Sequence, residues 1–543
     1  MTINNFYVIV KARTVIEMGI YLNPGNDAFE MACRDDIYVD KSGLIDLISK
    51  RIGKRKRFVC VSRPRRFGKS MAAEMLTAYY DRTCDSGKLF CDKKIANFES
   101  YETHLNQYNV IYLNVQHFLR GAGEPENLVS YMEAEILKEV KELYGDWIPS
   151  TTSLPVALAN IYVKDSDEKK GFIFIVDEWD CIFRVARENT IAQRKYLDFL
   201  RDLFKDRTYV KLAYMTGILP IKKYGNHSAL NDFDEFSMTN PDCMSKYMGF
   251  TQQEVRKLCE DYHKDFQEVR RWYDGYRMGE NLHVYNPKSV VDGMQSRKLK
   301  SFWTNTETYE ALQIYIDLDE DGLKQALIAM LSGERCEIDT GAFQNDMTTF
   351  KSKDDVLTLL VHLGYLSYDE TMKTVSIPNE EVREEFVRAV KNGRHKEIVK
   401  LITESDKLLD ATLQMDVKSV SKIISRIHDT ITAPNFYNNE QALRSVIKFA
   451  YLSCLEEFIE IQELPSGIGY ADVVFLPMKS SNKPVMIVEL KWNKTATSAL
   501  EQIKDRKYPQ VLENYGGEIL LVGVNYSEKT KEHTCVIEIY QKK

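Results

Sequence analysis

The 543-residue chain has no Cys-x-x-Cys pair among its ten cysteines and no metal-spaced cluster among its nine histidines. Neither a zinc framework nor a disulfide scaffold is indicated, which suits a reducing, cytoplasmic setting. No apolar run approaches the ~20 residues needed to cross a bilayer, so no membrane partner is expected. The N-terminus lacks a secretory leader pattern. Repeats and low-complexity linkers are absent too, so domain limits must be read from changes of pattern. Basic charge is not in excess: 73 Lys and Arg stand against 80 Asp and Glu, a net charge of -7. That excludes a global nucleic-acid field and leaves only a local basic face. The run Lys54-Arg55-Lys56-Arg57 reads as a solvated turn rather than such a face. The length is too great for one core, and two to four domains are expected.

What is present begins at Arg63-Pro64-Arg65-Arg66-Phe67-Gly68-Lys69-Ser70. The apolar Phe58 to Val61 predicts a buried strand and Met71 to Tyr80 a helix. A strand, a loop and a helix in that order gather free N–H groups and a positive helix end at one point, which is chemistry for holding phosphate. Lys69 would reach the β/γ-phosphates, and the Ser70 hydroxyl would ligate Mg²⁺. Arg65, Arg66, Phe67 and Gly68 complete the candidate loop. The pattern departs from the usual phosphate loop in one respect: Arg63 stands where a first glycine normally allows a tight turn.

Gly171 to Asp180 adds a fully apolar strand ending in Asp177-Glu178. A parallel sheet buried on both faces demands such a run, and ligands collect at its carboxyl ends. Asp177 would hold Mg²⁺ and Glu178 would polarise an attacking water. Asn109 to Val115 and Val210 to Gly217 predict two more strands of the same sheet. A strand between the phosphate loop and the acidic strand indicates the NTPase branch in which a catalytic glutamate follows the metal aspartate. Thr216 is then either the polar sensor of the γ-phosphate or a simple strand-end residue before Gly217.

Two more predicted strands, Gly469 to Leu476 and Val485 to Lys491, are joined by the turn residues Asn482-Lys483-Pro484. Glu489 and Lys491 are two apart and share a face, while Val488 and Leu490 turn into a core. Asp472, Glu489 and Lys491 around one Mg²⁺ or Mn²⁺ suit phosphodiester hydrolysis: the carboxylates hold the ion and the lysine positions water and offsets charge. A charged cross-strand pair on a solvent face would give the same residues without chemistry.

Tyr38-Val39-Asp40-Lys41-Ser42, the Arg63 to Ser70 loop, Thr216-Gly217-Ile218-Leu219-Pro220-Ile221, Trp272-Tyr273-Asp274-Gly275-Tyr276 and Tyr285-Asn286-Pro287 occur in that order. Together they resemble the bacterial AAA-ATPase-like family, whose members commonly carry a C-terminal PD-(D/E)XK nuclease-like domain. That family's loop also has Arg at the first-glycine position. The resemblance implies ATP as ligand, its hydrolysis, and nucleic acid as partner of the C-terminal domain, in nucleic-acid processing or defence. It implies too that Glu440 supplies a further metal-side carboxylate and that Gln502 and Tyr508 support the metal site or contact phosphate. No arginine finger is identified, because Arg65 and Arg66 lie too near the loop, and an oligomer is compatible with the pattern.

The expected fold is α/β throughout. Residues 1–17 read as an N-terminal extension, 18–241 as a P-loop NTPase (AAA-like) parallel sheet, and 242–350 as its helical extension. Residues 351–425 read as a winged-helix-like and helical bridge, and 426–543 as a PD-(D/E)XK-like α/β domain. The acidic run Glu380-Glu381-Glu384-Glu385 favours bridging over DNA binding in the winged-helix-like part. Thr251 and Glu254 predict a capping box. Trp272 to Tyr276 and Tyr285 to Pro287 are expected in turns, as packing elements without catalysis. The C-terminal domain is either an active nuclease or a binding fold that has lost turnover.

Overall fold

A computed structural model describes residues 19–541 except 150–151, 166–170, 222, 225–226, 229, 280–281, 304–308, 319–321, 346, 395, 432–439, 466–469, 478–482, 507 and 513–516. The N-terminal extension, Gly469 and Asn482 lie outside the described residues. The chain divides into two compact units, Met1–Lys300 with Ile338–Lys373, and Ser301–Glu337 with Thr374–Lys543. One boundary falls inside the segment expected to be winged-helix-like, between the helices Lys353–Leu363 and Glu380–Asn392.

The first unit is built on strands β1 (Phe58–Ser62), β2 (Asn109–Asn114), β3 (Phe172–Asp177), β4 (Val210–Gly217) and β5 (Asp234–Phe236). Their order is β2-β3-β4-β1-β5 and every neighbouring pair is parallel. The apolar runs are explained by burial on both faces. Val59, Val61, Ile173, Ile175 and Leu212 face one core with Ala72, Met75 and Leu76 of helix α1 (Lys69–Tyr80). Phe58 and Phe174 meet Phe204 on the opposite face. Each such large side chain stabilises by roughly 2 kcal/mol. The loop 63–68 and the ends of β3 and β4 therefore meet at the carboxyl edge of a rigid sheet.

A small antiparallel sheet of β6 (Phe250–Thr251), β7 (Tyr276–Met278) and β8 (Leu282–Tyr285) in the order β6-β8-β7 accounts for the aromatic motifs. The expected capping box is present: Thr251 and Glu254 start α2 (Gln252–Asp261). Trp272 and Tyr273 are not in a turn but end α3 (Phe266–Tyr273). Asp265 caps that helix, and Val269, Trp272 and Tyr273 recur at i, i+3, i+4 on its buried face. Only Asp274 and Gly275 lie between helix and strand; Tyr276 and Tyr285, also expected in turns, lie in β7 and β8, and Pro287 opens a helix. Asn286 caps α4 (Pro287–Gln295) through the N–H groups of Lys288 and Ser289, with Pro287 at the first helical position. The Tyr276 ring packs edge-on to Phe67 of the loop, centroids 5.2 Å apart. The Gly249 N–H donates to Phe67 O at 3.0 Å. Gly249 has φ +93, and a Cβ there would lie 2.3 Å from Val284, so only glycine fits.

The second unit carries β9 (Phe458–Pro465), β10 (Tyr470–Pro477), β11 (Val485–Trp492), β12 (Ile519–Ser527) and β13 (Glu532–Ile539) in sequential order. All pairs are antiparallel except β11 with β12. With α5 (Val417–Ile431) and α6 (Glu440–Ala450) preceding the sheet, α7 (Ala496–Asp505) is the crossover that a parallel pair requires. Its Leu500 and Ile503 pack on Val474, Ile487 and Leu521.

His428 of α5 and His533 of β13 are both buried, their Nδ1 and Nε2 atoms 2.8 Å apart. One nitrogen must donate and the other accept, so at least one ring must stay neutral, and burial disfavours charge on either. Burial lowers the pKa of His428 to about 4. Burial, and next the other ring, lowers that of His533 to about 3. With folded values below the unfolded one, the unfolded chain takes up protons first, and stability is lost as pH falls below about 6.5. Denaturant unfolding followed on this unit should show a loss on the order of 3 kcal/mol between pH 7 and pH 5. His533→Phe should flatten that slope, and an unchanged slope would reject the pair as its source.

Candidate functional site

At the carboxyl edge of the parallel sheet, Lys69 opens α1 with 4% exposure, and its Nζ donates to Pro64 O at 2.8 Å. Its ammonium thus points back into the loop. Burial lowers its pKa, with Glu178, Asp177 and Asp180 acting the other way. Ser70 Oγ donates to Asp177 Oδ2 at 2.8 Å. Asp177 also accepts from the Thr216 hydroxyl at Oδ1. Asn114 Nδ2 lies 3.4 Å and Tyr112 OH 3.5 Å from its Oδ2. Three strand ends and the loop thus converge on one carboxylate. Thr216 is fully buried, with its hydroxyl committed to that carboxylate.

The rest of the loop sorts by direction. Arg66 and Gly68 hold φ of +66 and +85, so the left-handed turns lie there and not at residue 63. Arg65 is exposed and Arg66 half-buried. The Phe67 ring is buried against Tyr276, which leaves its backbone for the loop. Beside the loop opens a cavity of about 510 Å³, lined by Gly68, Met71, Met75, Tyr247 and Phe250 among others. Hard oxygen groups at Ser70 and Asp177, a buried ammonium and a helix N-terminus fit a triphosphate with a divalent ion. The largely apolar cavity next to them fits a base.

Glu178, with φ +55, is paired to Arg184. Arg184 also holds Asp180, its Nε 2.9 Å from Oδ2. Burial opposes the Arg184 charge, but Asp180 and Glu178 outweigh it and raise its pKa. Asp180 Oδ2 further accepts from the N–H groups of Ile218 and Leu219, at 3.1 and 2.8 Å. This fixes the turn after β4. Neither Arg184 nor Glu74 was found from the sequence. Burial and the neighbouring Asp177 raise the Glu74 carboxyl to about 7. Both had a signal: Arg184 is four residues from Asp180, and Glu74 four from Ser70, the spacing of one helix face.

In the second unit Asp472, Glu489 and Lys491 are brought together. The pairing of Val473 with Val488 places Asp472 directly opposite Glu489, hence on the same face. The Asp472 N–H donates to Glu489 Oε2 at 3.4 Å. Asp472 Oδ2 accepts from the Leu490 N–H at 2.9 Å. Lys491 Nζ is 3.2 Å from Glu489 Oε1, which also accepts from Gln502 on α7. Asp472, Glu489 and Lys491 are 6%, 1% and 5% exposed. Burial, then Asp472, holds the Glu489 carboxyl above the usual carboxylate range against the pull of Lys491. Tyr508 is buried beside Glu489; burial and then that carboxylate raise its pKa. Glu440 opens α6, but its side chain lies outside the described residues. One turn on, Arg444 reaches Asp472 Oδ1 at 2.5 Å, a contact sequence reading missed. Two adjacent buried carboxylates can hold a divalent cation, which would relieve their mutual repulsion. No group of three or more such ligands occurs among the described residues.

Residues 25–225 match the family model of a predicted AAA-ATPase, and residues 438–535 that of the PD-(D/E)XK nuclease superfamily. The chain is 23% identical over 523 residues to an uncharacterized protein in the vnfD 5' region of Azotobacter chroococcum mcd 1, covering 92% of this chain and 94% of that one. Among solved structures, it is similar to the Aeropyrum pernix ORC2 protein in its ADPNP–ADP complexes. There the identity is 11%, over 66% of this chain and 96% of that chain, with a TM-score of 0.24. For Cdc6p from Pyrobaculum aerophilum the identity is 10%, over 67% of this chain and 98% of that chain, with a TM-score of 0.21. No helix among the described residues is long and apolar enough to cross a membrane.

Proposed function

With an AAA-ATPase-like domain at 25–225 and a PD-(D/E)XK nuclease-like domain at 438–535, we propose that the chain binds and hydrolyses ATP and that the nucleotide governs Mg²⁺-dependent cleavage of nucleic acid by the C-terminal domain. The observation that carries the first half is the Ser70–Asp177 hydrogen bond of 2.8 Å. It joins a phosphate-loop hydroxyl to a strand-end carboxylate that is 107 positions away, in the arrangement a nucleotide-bound divalent ion needs.

Lys69 and the N–H groups at the start of α1 would hold the β- and γ-phosphates. Ser70 and Asp177 would hold the divalent ion, with Thr216 and Asn114 fixing the orientation of Asp177. The ion, when bound, neutralises charge developing on the phosphates. Glu178 would orient water once its pairing with Arg184 loosens. In the second unit Asp472 and Glu489 would hold the metal, Lys491 would sit against the phosphate, and Gln502 and Tyr508 would steady Glu489.

A second reading has support from one feature shared by both sites. Glu178 is paired with Arg184 and Asp472 with Arg444, so both reactive acids are held by cations. A nucleotide-dependent switch that binds nucleic acid or protein without cutting would look the same. Purified protein should be incubated with single- and double-stranded DNA and RNA, with and without ATP, Mg²⁺ and Mn²⁺, while phosphate release is followed. Phosphate release that is lost in Glu178→Gln, with ATP binding kept, supports hydrolysis as described. Equal turnover in both proteins rejects Glu178, and metal-dependent turnover without cleavage of any polymer favours the switch.

A further inference from the structure

We propose that Arg63 is a positioning residue of the nucleotide site, a buried cation that clamps the phosphate loop to its sheet and favours the phosphates bound above it. The inference rests on the ATP-binding reading. Arg63 stands where a phosphate loop usually has its first glycine, yet it is fully buried. Its Nη1 donates to Ser62 O at 2.8 Å and to Phe236 O at 2.9 Å. Its main-chain N–H donates to Gly217 O at 3.0 Å. One residue therefore ties the loop to the ends of β1, β4 and β5. The next residue, Pro64, supplies the carbonyl that receives Lys69 Nζ. From clamp to phosphate-binding ammonium is one peptide unit and one hydrogen bond.

The charge is the second half of the argument. Nε and Nη2 of Arg63 have no partner, and no carboxylate acts on the guanidinium, among the described residues. A buried cation without a counter-charge is strongly unfavourable to the free protein. Burial lowers its pKa to about 10, so it stays charged at neutral pH. The counter-charge it lacks is one a nucleoside triphosphate brings to the same loop, and attraction reaches further in a poorly polarisable interior than in water. The left-handed angles sit at Arg66 and Gly68, so the backbone at 63 has no need of glycine.

The test uses the full chain and a fluorescent ATP analogue. Arg63→Gly, which restores the common loop spacing, should weaken binding at least tenfold instead of improving it. Arg63→Met keeps the apolar stem and drops the charge. The free protein should then melt at the same or a higher temperature while affinity falls at least tenfold. A residue that only braced the fold would lower the melting temperature and leave the folded fraction binding normally. Arg63→Lys should recover part of the affinity lost in Arg63→Met. Wild-type affinity in the glycine or methionine variant, or equal weakness of the lysine and methionine variants, overturns the proposal. Wild-type protein that fails to bind the analogue would instead sink the ATP-binding reading itself.

Discussion

Lys69→Ala should weaken ATP binding by about 100-fold, close to 3 kcal/mol for a charge-assisted contact, while the free protein melts within a few degrees of wild type. The expected size follows from where the ammonium sits. It is 4% exposed and already stripped of most water, so pairing with phosphate costs little further desolvation. Its hydrogen bond to Pro64 O aims it into the loop where the phosphates would lie. Burial opposes the charge, and the nearby Asp177, Glu178 and Asp180 support it. Taking the ammonium away removes a charge that the free protein holds at a cost, which is why stability should hardly move. Titration of a fluorescent ATP analogue, with a melting curve of each protein, checks both halves. Undiminished affinity would show that the loop does not hold phosphate as described.

Glu489→Gln and Asp472→Asn should each reduce metal-dependent cleavage on the order of 10³-fold and leave ATP turnover intact. These replacements keep shape, remove the charge and turn one accepting oxygen into a donor; the sheet register, held by backbone pairing, should survive. Glu489 is 1% exposed, with Lys491 and Gln502 both on its Oε1. Its folded pKa is raised, so the native state keeps a proton that the unfolded chain has released. The stability from that proton is present at low pH and is lost as pH rises from the usual carboxylate range through the folded value. Metal-free Glu489→Gln should therefore melt at or above wild type at pH 8, and Mg²⁺ should stabilise wild type more than the variant. Cleavage that persists in both variants would assign the activity elsewhere.

Much of this was legible in the sequence because it is local or periodic. The unbroken apolar runs Phe58 to Val61 and Phe172 to Val176 announced strands buried on both faces, and those are the central strands of a parallel sheet. Thr251 with Glu254 announced a helix cap, whereas Asn286 and Pro287, expected in a turn, open a helix. Glu489 and Lys491 declared a shared face by their spacing. What escaped was the partner of each cation. Arg63 spans to Phe236, Arg184 to Glu178 and Arg444 to Asp472, and nothing in a linear pattern says which carbonyl or carboxylate a long flexible side chain will meet. Trp272 and Tyr273 were misplaced in a turn for a related reason. A helix cap at Asp265 and a buried face outweighed the turn signal of Asp274-Gly275.

By itself, the order of residues determined which elements form and which chemical groups stand at their ends, because both depend on near neighbours and on a period of two or of three to four. Only the folded chain decided that Asp177 would gather Ser70, Thr216 and Asn114, that Asp472 would lie across from Glu489, and that the arginine standing in a glycine's place would be buried against Phe236 O. Those outcomes turn on strand order and register, which are set by how distant apolar faces close over one another and exclude water.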